Sequence, residues 1–284
     1  MALVTVKTLL AAADKGGYGV GAFNCNNMEI VQAIVEAAQK EKAPVIIQAS
    51  QGAIKYAGLD FVVALCNAAS KSASVPIALH LDHGSDMTQV IRCIAGGFTS
   101  VMYDGSAKPF EENVALTQKV VEIATAAGVS TEAELGKLGG IEEHVNVSEK
   151  DAMMTDPEEA RRFVEATGVE SLAVAIGTAH GQYKLPPKLD FERLKKIKAL
   201  VSVPIVLHGS SGIPAEDLRT AISLGVRKVN IDTNIREAFC YTLREEFNKQ
   251  PGEIDPRKLL IPARAAMVEV VREKIQIFGS SGKA

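Results

Sequence analysis

Three histidines occupy positions in this sequence from which their imidazole rings could converge on a metal ion. They are His83, His180 and His208, and each precedes a glycine at or just after the end of an apolar run typical of a β-strand. Neutral imidazole nitrogens are good ligands for Zn²⁺, and three of them leave an open position for water or substrate. If the three strand ends meet, the pattern predicts a catalytic zinc centre.

Acidic residues gather around the same strand ends. They are Asp82, Asp104, Glu132, Glu134, Glu142, Glu143 and Asp232. Any one of them is compatible with a solvated surface acid, but several in one closed mouth require a metal ion or cationic contacts. His80 shares a strand face with Asp82 by alternation, so it could be an extra ligand, a partner of a ligand or a core residue. His144 lies in a long connection and is expected to be exposed.

Glycine-rich and hydroxyl-rich segments follow the last three apolar runs. They are Gly181-Gln182-Tyr183-Lys184, Gly209-Ser210-Ser211-Gly212 and Asn230-Ile231-Asp232-Thr233. Glycines allow a ligand to approach backbone N–H groups closely, and a helix N-terminus attracts anions. A Gly-Ser-Ser-Gly segment alone indicates only a turn. Its position directly after His208 favours a phosphate site.

Eight short apolar runs alternate with amphipathic stretches along the chain. The runs are Tyr18–Asn24, Pro44–Ser50, Pro76–His83, Ser100–Gly105, Val129–Leu135, Ser171–Thr178, Pro204–Ser211 and Lys228–Thr233. Most are apolar nearly throughout, as strands covered on both faces are, and residues 27–42 show the 3.6-residue periodicity of a helix. Eight strand–helix units in one chain predict a (β/α)₈ TIM barrel of the α/β class, whose carboxyl strand ends form the active-site mouth.

Two connections are longer than the others, residues 136–155 and 179–189. Long connections in compact domains are usually functional or disordered, so we expect both to be active-site loops. The first contains Gly136, Gly139 and Gly140 before its acidic residues. A mobile lid carrying a catalytic group and a plain surface loop are both compatible with this composition. Residues 255–278 are expected to form a C-terminal helical segment of a single 1–284 domain.

The composition of the chain indicates which kinds of molecule it is not expected to bind. The chain has 284 residues, 47% of them hydrophobic, a formal net charge of −3 and a pI near 6.0. No basic cluster predicts nucleic-acid binding, and neither a secretory signal nor a membrane-spanning run is evident. The four cysteines are scattered without a disulfide or zinc-knuckle spacing, which favours reduced thiols and a cytoplasmic protein.

Over its whole length the sequence resembles the class II fructose-bisphosphate aldolases and the related tagatose-bisphosphate aldolases. The segments that carry the likeness are Gly21-Ala22-Phe23-Asn24, His80-Leu81-Asp82-His83-Gly84, Glu132-Ala133-Glu134-Leu135-Gly136, Gly139-Gly140-Ile141-Glu142-Glu143, Ala175-Ile176-Gly177-Thr178-Ala179-His180-Gly181, Leu207-His208-Gly209, Asn230-Ile231-Asp232-Thr233 and Asp255-Pro256-Arg257. The resemblance implies reversible cleavage of a ketohexose bisphosphate into dihydroxyacetone phosphate and glyceraldehyde 3-phosphate through a metal-stabilised enediolate.

Carried over residue by residue, the resemblance assigns roles. The three histidines ligate Zn²⁺, which Co²⁺ can replace. Asp82 exchanges a proton with the C4 oxygen, Glu142 takes a proton from dihydroxyacetone phosphate, and Asn230 contacts the enediolate. Substrate or phosphate contacts are expected at Asn24, Ser50, Gly181, Lys184, Gly209, Ser210, Ser211, Asp232, Thr233 and Arg257. Asp104 and Glu134 match a second metal position. The likeness also implies a monovalent cation, Na⁺ or K⁺, and a homodimer or homotetramer in which Arg257 reaches the partner's phosphate site.

Other functions remain compatible with parts of the pattern. Residues 145–181 look like the tagatose enzymes, whereas Asp232 is typical of fructose-specific ones, and a carboxylate can discriminate between epimeric hydroxyls. We therefore favour fructose 1,6-bisphosphate as substrate. A non-catalytic phosphosugar-binding barrel is expected to lack the base or a metal ligand, and here all are present. A zinc hydrolase would use the same three histidines, but the phosphate-type segments argue against it. A Schiff-base aldolase would need a lysine at the end of the sixth strand, and Ser171–Thr178 contains none.

Overall fold

The computed structural model describes residues 2–137, 139–142, 145–147, 153–181 and 187–284. For residues 139–142 and 145–147 only the backbone is described. In chain order the strands are β1 (Val20–Asn24), β2 (Val45–Ser50), β3 (Ile77–Gly84), β4 (Ser100–Tyr103), β5 (Ser130–Leu135), β6 (Gly139–Glu142), β7 (Val145–Val147), β8 (Ser171–Val174), β9 (Ala179–His180), β10 (Ile205–Leu207) and β11 (Val226–Ile231).

Eight of these strands form a closed parallel barrel. Their order around it is β1-β2-β3-β4-β5-β8-β10-β11, with β11 pairing back to β1. The eight strands are almost entirely buried because side chains fill the inside and helices cover the outside. The predicted (β/α)₈ barrel is confirmed.

Helices follow the strands around the outside. They are α1 (Val6–Gly16), α2 (Met28–Glu41), α3 (Gln51–Ala57), α4 (Leu59–Ser72), α5 (Met87–Gly96), α6 (Phe110–Ala126), α7 (Pro157–Thr167), α8 (Phe191–Leu200), α9 (Ala215–Ser223), α10 (Thr233–Lys249) and α11 (Pro256–Ile277). Side-chain caps define several starts: Asn27 accepts from the Ile30 N–H at 3.0 Å, and Asp156 accepts from the Glu158 and Glu159 N–H groups. The helix α11 occupies most of the segment 255–278.

The first helix closes the barrel at the amino ends of its strands. Leu9 and Leu10 of α1 join the cluster formed by Val20, Ile46 and Ala78 inside the barrel. An amphipathic helix that buries its apolar face here excludes water from that end. The opposite end, at the carboxyl ends of the strands, is where we expect a site.

Two strands end earlier than the apolar runs predict. The sixth barrel strand, β8, stops at Val174 and not at Thr178, and the seventh, β10, is limited to Ile205–Leu207. Gly177 has φ +104°, and a Cβ there would lie 2.4 Å from the carbonyl oxygen of Lys188. The ladder ends before this glycine, because Ala175 bonds to Thr155 through both its N–H and its carbonyl group, and the chain then turns at Gly177.

A second, smaller sheet lies in the two long connections. Its order is β7-β6-β9, with β6 antiparallel to β7 and parallel to β9. The described parts of residues 136–155 and 179–189 thus include three short strands. Because β6 pairs with Ala179 and His180, this sheet links the two connections.

Within the described part of the chain, no single helix is both long and apolar enough to cross a membrane. The bent pair formed by α3 and α4 meets that test by length and composition only.

Candidate active site

The three predicted metal-binding histidines meet at the carboxyl end of the barrel. One ring nitrogen from each of His83, His180 and His208 lies within 4.8 Å of the others. The ring centroid of His83 is 5.0 Å from that of His180 and 4.7 Å from that of His208. The rings come from β3, from β9 in the small sheet and from the residue after β10.

A local irregularity in β3 turns His83 towards this point. Asp82 faces the barrel interior, so strict alternation would direct the next side chain outwards. His83 instead has φ +48°, and the pairing of β3 with β4 shifts register between Leu81 and Gly84. Positive φ is uncommon for a residue with a side chain, and bulges of this kind redirect side chains near active sites. The backbone conformation therefore places the ligand.

Two of the histidines are backed by carboxylates. Asp104 Oδ2 lies 2.8 Å from His83 Nδ1, and Glu132 Oε1 lies 2.9 Å from His208 Nε2. An ionised carboxylate only accepts hydrogen bonds, so these two ring nitrogens carry the protons. In the neutral rings the lone pairs are then on His83 Nε2 and His208 Nδ1.

Those two nitrogens face each other at 3.0 Å. Two lone pairs at this separation repel unless a proton or a metal cation lies between them. The donor set, three imidazole nitrogens with two of them oriented by carboxylates, matches that of catalytic zinc centres. The described residues therefore fit a bound metal ion.

Burial and neighbouring charges set the ionisation of these groups. Burial opposes the charged form of Glu132, but the ammonium group of Lys228, together with His80 and the hydrogen bond from His208, holds the pKa of Glu132 well below its usual range. Burial likewise opposes ionisation of Asp104, whereas its hydrogen bond with His83 lowers the pKa. Burial lowers the pKa of His208 and, with the charge of Lys228, lowers that of His80 to about 3. His80 is thus neutral at physiological pH.

Asp82 lies at the centre of an amide cluster inside the mouth. Its Oδ2 accepts from Asn24 Nδ2 at 2.9 Å and from Gln48 Nε2 at 3.2 Å. Its Oδ1 accepts from Asn230 Nδ2 at 3.2 Å. Side chains from three other barrel strands, β1, β2 and β11, therefore fix the orientation of this buried carboxylate on β3.

A cleft beside the histidines contains most of the predicted substrate contacts. It is lined by Asn24, His180, Gly209, Ser210, Ser211, Asn230, Asp232 and Thr233. Gly209 has φ +61°, and a Cβ there would lie 2.4 Å from the carbonyl oxygen of Ala179. Only glycine fits this approach of the two chain segments. The cleft also reaches Thr233 at the start of α10, and a helix N-terminus favours anions.

The remaining predicted residues are distributed differently. Ser50 is buried at the end of β2, where its hydroxyl accepts from the Ala53 N–H at 3.2 Å. Gly181 follows β9 directly with φ +81°. Arg257 stands apart, because its side chain is 84% exposed and pairs with Asp255 at 2.8 Å.

Some predicted residues lie where the structure gives little or no description. Lys184, Glu143 and His144 lie outside the described residues. Glu142 ends β6, and only its backbone is described. The backbone pairing of Glu142 with Val145 is therefore the contact described for this residue.

The predicted second metal position also has a geometric counterpart. His83, Asp104 and Glu134 place one ligand atom each within 4.8 Å of one another. This group uses His83 Nδ1, which is 2.8 Å from Asp104 Oδ2 and 3.8 Å from Glu134 Oε2. The two groups share His83 through opposite ring nitrogens. Simultaneous occupancy would require His83 to lose its ring proton.

Two buried side chains in the mouth were not predicted from the sequence. Lys228 is fully buried with its Nζ 2.9 Å from Glu132 Oε2, and Gln48 contacts Asp82. Side-chain alternation along β11 and β2 could have predicted them. Lys228 shares a strand face with Asn230, and Gln48 shares one with Ser50. His80, also fully buried, contacts Ser100 at 2.8 Å.

Comparison with known proteins agrees with this site. A family model described as class-II fructose-bisphosphate aldolase matches residues 4–283. A fructose-bisphosphate aldolase from Thermus caldophilus is 51% identical over 308 residues, covering 99% of this chain and all of that protein. Among solved structures, the YdjI aldolase of Escherichia coli K12 is 36% identical with a TM-score of 0.87, covering 99% of each chain. A candidate fructose-1,6-bisphosphate aldolase from Coccidioides immitis is 34% identical with a TM-score of 0.89, covering 98% and 97%. The chain therefore belongs to the class-II fructose-bisphosphate aldolase family, a family of carbon–carbon lyases.

Proposed function

We propose that this protein is a zinc-dependent aldolase that reversibly cleaves fructose 1,6-bisphosphate into dihydroxyacetone phosphate and glyceraldehyde 3-phosphate. The observation that carries the proposal is the convergence of three histidine nitrogens, two of them backed by carboxylates, beside a cleft at the barrel mouth. Family membership supports a phosphorylated ketose as substrate.

The proposed ligands of Zn²⁺ are His83, His180 and His208, and Co²⁺ can replace it. When bound, the metal supplies a Lewis acid that polarises a carbonyl group and stabilises developing negative charge. The opposed lone pairs of His83 and His208 support this assignment. Asp104 and Glu134 are proposed as ligands of a second metal position, which also uses His83. A neutral imidazole has one lone pair, so His83 in that form can bind a metal at one of the two positions at a time.

The protein's own groups carry the proton transfers. Asp82 exchanges a proton with the C4 oxygen as the C3–C4 bond breaks or forms, and the amide groups around it keep its carboxylate directed into the mouth. Asn230, one of these amides, also contacts the enediolate. In the condensation direction, Glu142 removes the proton from C3 of dihydroxyacetone phosphate. Glu142 lies at the end of β6, the strand that pairs with β9.

Phosphate binding is assigned to the cleft. Glycine and serine residues at 209–211, together with the start of α10 at Thr233, offer backbone and hydroxyl donors. Asn24, Ser50, Gly181 and Lys184 complete this part of the proposal, with Na⁺ or K⁺ as a monovalent cation. Because Arg257 is exposed, it is available to a second protomer, which supports a homodimer or homotetramer.

Fructose is favoured over tagatose bisphosphate on the basis of Asp232. This residue lines the cleft, and its Oδ1 lies 2.7 Å from Arg236 Nε. A carboxylate held in place can hydrogen-bond one hydroxyl configuration and leave groups unpaired with the other. We also propose a single 1–284 domain and a cytoplasmic location, which the four free cysteines support.

A Schiff-base mechanism is the main rival, because Lys228 lies inside the barrel. Its ammonium group contacts both oxygens of Glu132, at 2.9 and 3.1 Å. A nucleophilic lysine must instead be a neutral amine, so this ion pair disfavours the rival.

Cleavage assays on both bisphosphates, with and without a chelator, test the proposal. Activity should be lost with dipicolinate, return with Zn²⁺ or Co²⁺, and favour the fructose substrate. Borohydride added with substrate should trap no covalent adduct. Full activity in a metal-free preparation would refute the proposal.

A further inference from the structure

A buried ion pair lies directly behind one of the proposed metal ligands. Lys228 and Glu132 have fully buried side chains, and their nearest charged atoms are 2.9 Å apart. Burying two charges is costly, and replacing such a pair by apolar side chains is often neutral or stabilising. Protein stability therefore gives a weak reason for this pair, and its position suggests another.

Glu132 connects the lysine to His208. Its Oε1 accepts from Lys228 Nζ at 3.1 Å and from His208 Nε2 at 2.9 Å. The second contact fixes the ring tautomer, so His208 Nδ1 presents its lone pair towards His83 Nε2. His80 Nε2 is 3.7 Å from Glu132 Oε2, too far for a hydrogen bond.

The carboxylate behind the other ligand is stabilised differently. Asp104, which contacts His83, has a partly exposed side chain and accepts from the N–H and hydroxyl groups of Ser106 at 3.1 and 2.7 Å. Glu132 has no exposed surface, so solvent cannot stabilise its charge. The cation that contacts the carboxylate at this deeper position is Lys228, whose Nζ lies 2.9 Å from Glu132 Oε2.

We propose that Lys228 and Glu132 act as one positioning unit for His208. The carboxylate fixes the tautomer and direction of the imidazole, and the ammonium group holds the carboxylate. Both residues act through His208. The inference rests on the proposed function, since it takes His208 as a metal ligand.

Four variants of the full-length protein test this unit. Lys228→Met and Glu132→Gln each remove one charge, and the double variant removes both and leaves no uncompensated ion. Arg227→Met is the matched control, because Arg227 neighbours Lys228 on β11 but pairs with Asp14 at 2.8 Å and contacts none of the three histidines. Metal-free protein is titrated with Zn²⁺ against a competing chelator, the visible spectrum is recorded with Co²⁺, and the melting temperature is measured without metal.

We expect each single variant to bind Zn²⁺ about 10–100-fold more weakly and to show an altered Co²⁺ spectrum. The double variant should bind no more weakly than the worse single variant, because the two residues act together. The Arg227→Met control should lower the melting temperature and leave the affinity and spectrum unchanged.

Wild-type affinity and spectrum in any folded variant of the pair would overturn the inference. A measurement on the unmodified enzyme covers the case in which the variants do not fold. In the zinc-loaded wild type, ¹⁵N spectra should show His208 protonated at Nε2 and metal-bound at Nδ1, and the reverse arrangement would refute the proposal. Metal-independent cleavage by the wild type would instead contradict the proposed function.

Discussion

Replacing Asp82 by alanine tests whether this carboxylate acts on the substrate and not on the metal. Asp82 belongs to neither group of candidate ligand atoms around His83, so the variant should keep its zinc. Losing a positioned acid–base group lowers kcat by about 10²–10⁴-fold. At about 1.4 kcal/mol per factor of ten, this equals about 3–5.5 kcal/mol of transition-state stabilisation.

The same substitution has a separate effect on folding. It removes the acceptor shared by the amide groups of Asn24, Gln48 and Asn230. A buried donor without a partner costs about 1–3 kcal/mol. Because water can enter from the barrel mouth and serve some of these donors, we expect the free energy of unfolding to fall by about 1–3 kcal/mol in total.

Three measurements separate these effects: metal content by mass spectrometry, steady-state kinetics and denaturant unfolding. Gln48→Met is the control, because it removes one donor, leaves Asp82 in place and should lower kcat far less. Loss of zinc from Asp82→Ala in proportion to its activity would refute the reasoning and make this residue part of the metal site.

Three further predictions follow from the site. Glu142→Ala should slow deuterium exchange at C3 of dihydroxyacetone phosphate by about 10²–10⁴-fold with unchanged zinc content, and wild-type exchange would make it an ordinary acid. Asp232→Ala should relax or reverse the preference for fructose over tagatose bisphosphate; an unchanged ratio of kcat/KM values would place discrimination elsewhere. Gly209→Ala should lower the melting temperature and weaken zinc binding, because its Cβ would lie 2.4 Å from the Ala179 carbonyl oxygen. Normal zinc affinity by chelator competition would show that the backbone relaxes without moving His180.

The local sequence pattern was sufficient to predict the barrel and to predict that the three histidines meet at its mouth. Buried parallel strands are apolar along their length, and a barrel brings their carboxyl ends to one mouth whatever the loops do. Asp82, Asn230 and Asp232 could therefore be assigned to the mouth from their positions at strand ends. Family resemblance supplied the individual roles.

Features that depend on contacts between distant segments could not be read in this way. The positive φ of His83 arises from the register shift between β3 and β4, which alternation within one strand does not reveal. The early end of β8 depends on a distant segment, because the N–H and carbonyl groups of Ala175 bond to Thr155 and not to a neighbouring barrel strand. Lys228 is the first residue of the run 228–233, whose pattern does not predict that a lysine is buried there; its pairing with Glu132 explains the burial.

The small sheet joins the metal centre to the strand that carries Glu142. Gly139 and Gly140 of β6 pair with Ala179 and His180 of β9, so one backbone ladder sets the position of both. Thermodynamic linkage makes any such coupling reciprocal. A substrate analogue that favours this arrangement of β6 should tighten zinc binding by the same factor by which zinc tightens binding of the analogue. Metal retention and substrate affinity are then two measurements of one coupling free energy.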